Sequence, residues 1–153
     1  MNKLLRSLLQ ICACAAVAAS LPQGAVAQPL ASATFLTHTG GDDKDHDTGI
    51  YIDVYTADRR ILLAHIENAD NCGGCHYDDH SEHGFNIPVV ARAERWQCEN
   101  FIVVLRTRAN GNDRWIIDHA SVTLNFAGGP PLEKSRRNFE LNSRGSQFAS
   151  IEF

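Results

Sequence analysis

Four carboxylates stand within six residues in Gly40-Gly-Asp-Asp-Lys-Asp-His-Asp-Thr48, between two strand-like runs. Asp42, Asp43, Asp45 and Asp47 repel one another unless a cation sits among them, and oxygen ligands on a short loop suit a hard ion such as Ca2+. Asp43, Asp45 and Asp47 alternate as the first three ligands of a calcium loop do. The helix-loop-helix pattern itself fails, since Gly49 falls one place late and Val54 stands where the closing Glu belongs. The expectation is a calcium site on these four aspartates, with Lys44 and His46 turned to solvent. The alternative is a solvated, charged turn.

A second constellation is Asp70-Asn-Cys-Gly-Gly-Cys-His-Tyr-Asp-Asp-His-Ser-Glu-His83, and three chemistries compete for it. Cys72-Gly-Gly-Cys75-His76 matches the attachment pattern of haem c, in which two thiols bond the porphyrin and the His ligates iron. The segment after Ala27 has no Met for the other axial position, so His80 or His83 would have to serve. Cys72, Cys75 and one or two of His76, His80 and His83 also have the softness and spacing for Zn2+. The third chemistry is a disulfide, either a tight Cys72–Cys75 ring allowed by the two glycines or a staple from this loop to Cys98. Oxidation of Cys72 and Cys75, with no porphyrin attached, is the expectation.

Asp47-Thr48-Gly49 is the triplet that presents the catalytic carboxylate of aspartic proteases, but that chemistry needs two carboxylates sharing a proton. Here Asp45 and His46 replace the apolar strand that should precede it, and the match is read as chance. No nucleophile elbow, phosphate-binding Gly-rich loop or His-Glu-x-x-His occurs, so no enzyme activity is expected. Trp96 and Trp115 are read as core aromatics, with a sugar-stacking surface as the alternative.

The elements that must position these residues alternate apolar and polar side chains with period two. In Thr48–Thr56, Ile50, Ile52 and Val54 point one way and Tyr51, Asp53 and Tyr55 the other. Similar signals lie at 33–38, 61–66, 85–90, 101–107, 115–117, 121–126, 139–141 and 148–153, separated by turn-rich pieces such as 109–113 and 142–145. No segment keeps a helical stripe for three turns. The pattern predicts an all-β chain, an antiparallel β-sandwich of about eight strands.

The order of the strand Phe35-Leu-Thr-His-Thr-Gly40, the polar loop, a Thr-x-apolar-x-apolar-x-apolar strand with an Asp58 turn, and later Trp115-Ile-Ile-Asp-His-Ala-Ser-Val-Thr-Leu-Asn-Phe126 resembles the lipoxygenase-homology (PLAT) and C2-like β-sandwiches. The resemblance covers roughly residues 33 to 127. It implies calcium-binding end loops and docking to a lipid, glycan or protein partner. The arginine-glycine segment usual in the middle of the lipoxygenase-homology pattern is missing, and only His83-Gly84-Phe85 stands near its place.

Residues 1–27 read as a secretory signal: Lys3 and Arg6 form its charged start, Leu4 to Ala19 is mostly apolar, and Ala25-Val26-Ala27 is a small-residue cleavage box. Cleavage would remove Cys12 and Cys14 and leave residues 28–153 as one domain, secreted or periplasmic. That domain carries 12 basic against 18 acidic residues, a net charge of −6. Such a balance argues against nucleic acid as a partner. No later run approaches the roughly 20 apolar residues of a transmembrane segment.

Overall fold

The computed structural model describes residues 27–69, 76–145 and 147–153. Eight strands form: β1 (Leu30–Thr39), β2 (Gly49–Tyr55), β3 (Leu62–Ile66), β4 (Glu82–Ile87), β5 (Ile102–Arg108), β6 (Gly111–Phe126), β7 (Gly129–Gly145) and β8 (Ala149–Glu152). A 3-10 helix at Arg95–Cys98 is the one helical turn among the described residues. The strands make two antiparallel sheets, ordered β4-β1-β6-β7 and β3-β2-β5-β8, which is the expected β-sandwich.

The period-two pattern places the core. Ile50, Ile52 and Val54 of β2 and Val103 and Leu105 of β5 meet Phe35 of β1, Trp115, Ile117, Val122 and Leu124 of β6, and Phe139 and Leu141 of β7. Alternate residues of one strand share a face, so each apolar set turns inward together. Trp115 is fully buried and its indole N–H donates to Thr39 Oγ1 at 3.2 Å, whereas Trp96 is 72% exposed. One tryptophan is therefore core and the other is surface, and they do not form a shared stacking surface.

Two readings of the strands change. The segments at 115–117 and 121–126 are parts of one strand, β6, because a bulge near Asp118 and His119 breaks the alternation without ending the ladder. The polar run before Phe139, and the supposed turn at 142–145, both belong to β7. This strand is the last in its sheet, where Pro130, Pro131 and the charges Glu133 to Arg137 suit an edge. Asp53, expected on the outer face, is nevertheless buried there, with Oδ1 2.5 Å from His65 Nδ1 and Oδ2 accepting from Arg106 at 2.7 Å.

The antiparallel register collects the end of β1, the start of β2, the end of β3 and the start of β4 at one end of the sandwich. The connections 40–48 and 67–81 both leave from that end. They carry the two constellations that the sequence presents as rivals.

Candidate metal centre

Lys44 and Tyr77 pair across an isolated antiparallel bridge, with Lys44 N–H donating to the Tyr77 carbonyl at 3.2 Å and Tyr77 N–H to the Lys44 carbonyl at 3.3 Å. Side chains alternate across such a pairing, so Asp43, Asp45, His76 and Asp78 share the face opposite Lys44 and Tyr77. A carboxylate oxygen of Asp43, one of Asp45 and a ring nitrogen of His76 lie within 4.8 Å of one another. Two segments more than 30 residues apart thus supply one group of candidate ligands.

The inner face holds the bridge in place. Tyr77 is 4% exposed and meets the Trp115 ring edge-on at 5.6 Å, while the His83 ring stacks on it at 3.8 Å. Lys44 is fully buried, contrary to the expectation that it faces solvent. Its ammonium donates to the carbonyls of Asp45 and Thr48, both at 2.8 Å, and lies 5.0 Å from the Tyr77 ring centroid. A buried ammonium needs such acceptors, because an unpaired charge in a low-dielectric interior is costly. These bonds close the turn at 45–48, where Thr48 N–H also donates to the Asp45 carbonyl at 3.1 Å.

On the outer face the imidazole of His76 is clasped between two acids. Nε2 stands 2.6 Å from Asp43 Oδ2 and Nδ1 stands 2.7 Å from Asp78 Oδ1. The hydrogen bond with Asp78, reinforced by the charge of Asp43, raises the His76 pKa. Replacing the shared proton on the Asp43 side by a metal ion is chemically natural, since a metal-bound imidazole commonly gives its other nitrogen to a carboxylate. Ligand atoms around one small divalent ion stand about 3 Å apart, so only a small opening is required. Below this face, burial pushes the Asp113 carboxyl above the usual carboxylate range, the charge of Asp45 adds to that, and the Lys44 ammonium opposes it.

Of the four aspartates expected to bind calcium, the structure brings together Asp43 and Asp45. Asp42 turns to Arg114, 3.3 Å away, and Asp47 is exposed outside the group. From the second constellation His76 joins them. His80 is exposed, with its backbone N–H on the Gly40 carbonyl at 3.0 Å, and His83 lies under Tyr77 with Nε2 2.8 Å from Ser81 Oγ. Cys72 and Cys75 lie outside the described residues, as does any ring between them. Cys98 is a free, fully buried thiol at the end of the 3-10 helix, and either partner of the expected staple, Cys72 or Cys75, lies outside the described residues. Asp78 and Asp113 were missed. Asp78 was findable, being two residues from His76 and so on its face if the segment is extended.

No protein family model matches the chain, and no curated protein matches it.

Proposed function

We propose that this protein is an exported, noncatalytic β-sandwich module that binds one divalent transition-metal ion, of the zinc class, at its loop end. Asp43, Asp45 and His76 are the ligands and Asp78 orients the imidazole. The observation that carries this reading is the Lys44–Tyr77 bridge, which puts the three donors on one face. An imidazole among the donors favours zinc and its neighbours, whereas calcium takes six to eight oxygens. The aspartates that would complete an oxygen-only shell, Asp42 and Asp47, lie apart from it. Docking of a lipid, glycan or protein partner, as the resemblance implies, would use the same end, whose loops a bound ion would tie together.

The test is calorimetric titration of metal-free protein with zinc and separately with calcium, in a background where Cys72 and Cys75 are replaced by Ser so that thiols take no part. Binding of one zinc, lost in Asp45→Asn and in His76→Ala, is expected. Zinc binding that survives both substitutions would refute the site. Calcium binding that survives His76→Ala would restore the oxygen-only site.

A further inference from the structure

At the opposite end of the sandwich the segment before β1 is seated with unusual completeness. Gln28 N–H donates to Glu94 Oε2 at 2.8 Å, and the Gln28 carbonyl accepts from Arg95 N–H at 3.0 Å. Pro29 and Glu94 pair as an isolated bridge, and the Pro29 carbonyl accepts from Ala127 N–H at 3.0 Å. The Gln28 side chain and backbone nitrogen go to different partners, Nε2 lying 3.4 Å from the Gly128 carbonyl. Its Oε1 lies 2.6 Å from where a Cβ on Gly129 would stand, so the bare glycine makes the room that this side chain occupies. Glu94 is itself held, its N–H donating to Gln97 Oε1 at 2.9 Å.

We propose that Gln28 is the mature amino terminus and that Glu94 is the receptor for its α-ammonium, a seat that also protects Gln28 from cyclisation. Hydrolysis of the Ala27–Gln28 peptide bond, after the small-residue box Ala25-Val26-Ala27, consumes one water, breaks the C–N bond and leaves a carboxylate on Ala27 and an ammonium on Gln28. The bond from an uncharged amide N–H to the Glu94 carboxylate then becomes one between an ammonium and a carboxylate, which adds the attraction of opposite charges. An amino-terminal glutamine cyclises when its neutral α-nitrogen attacks the side-chain Cδ, forming a lactam C–N bond and expelling ammonia. The seat opposes both requirements. The Glu94 carboxylate favours the protonated nitrogen, which has no lone pair to attack. The bond of Nε2 to the Gly128 carbonyl, in the room that Gly129 leaves, opposes the swing of Cδ onto that nitrogen.

The whole chain is expressed for export, and the product is recovered outside the cytoplasm and examined by intact mass and amino-terminal peptide sequencing. A chain starting at Gln28 with an unblocked amine is expected; another first residue, or a fully cyclised Gln28, would overturn the proposal. The processed protein is then incubated at neutral pH beside Glu94→Gln, which keeps an acceptor of the same shape, and Gly129→Ala, which crowds the side chain. Loss of one ammonia should be on the order of tenfold faster in Glu94→Gln, the change that one unit in the amine pKa produces in its neutral fraction. Equal rates in all three folded proteins would overturn the protective role.

Discussion

Lys44 and Tyr77 lie side by side on the inner face of a two-residue ladder, the ammonium 5.0 Å from the ring centroid, and every residue next to them in sequence that can bind a metal faces the other way. The lysine is thus a structural pin among acids. A solvated lysine would merely lower the local charge. The two roles predict opposite outcomes on removal.

Lys44→Met keeps the length of the side chain but leaves the carbonyls of Asp45 and Thr48 without its donors. Loss of about 1–3 kcal/mol of stability is expected, as for buried acceptors left unsatisfied, measured by urea unfolding. Zinc affinity should fall as well, because the turn that aims Asp45 loosens. An increase in affinity would mean that Lys44 acts only as a competing charge.

The pH dependence follows from His76, whose pKa is raised first by the hydrogen bond with Asp78 and then by Asp43. Its contribution to metal-free stability is fully present below the unfolded imidazole pKa and disappears as pH rises through the higher folded value. Zinc binding runs the other way, since the metal needs the unprotonated nitrogen. Titrations between about pH 5 and 8 should therefore show affinity rising with pH. Asp78→Asn should move that rise to lower pH and weaken binding by roughly 10–100-fold at the plateau.

Burial holds the Cys98 thiol protonated, with its pKa pushed up to about 11, and the nearby charge of Glu94 adds to the effect. Thiolate is the reactive species, so Cys98 should resist alkylation in the native protein at mildly alkaline pH and react once urea unfolds it. Peptide mass mapping after timed alkylation reads this directly. Rapid native labelling of Cys98 would contradict its place in the core.

The tryptophans should separate by stability. Trp115→Phe removes the indole N–H that reaches Thr39 and leaves space at the centre of the core, and about 1–3 kcal/mol of stability should be lost. Trp96→Phe changes an exposed ring and should stay within about 0.5 kcal/mol. Urea melts of the two variants make the comparison.

The sandwich was legible because most stretches of its buried strands alternate apolar and polar residues, as Ile50-Tyr-Ile-Asp-Val54 does. Of β7 only 139–141 was, since an edge strand places charges where an inner one would place apolar residues. The candidate ligands Asp43 and Asp45 stood out by their spacing, and His76 by its motif. Their union was hidden, because it depends on Lys44 going inward, and a lysine flanked by aspartates reads as solvated. Asp42 shows the converse difficulty: its partner, Arg114, is 72 residues away and leaves no local mark.

β1 runs from the Gln28–Glu94 seat to the acidic loop, and ten residues at about 3.3 Å each hold the two about 30 Å apart. That is about three screening lengths in 0.1 M salt. The two ends are therefore electrically deaf to each other: a change of charge at the Gln28–Glu94 seat leaves the potential at Asp43 and His76 unchanged, and the sandwich can be anchored on a surface by one end while the other is titrated with metal.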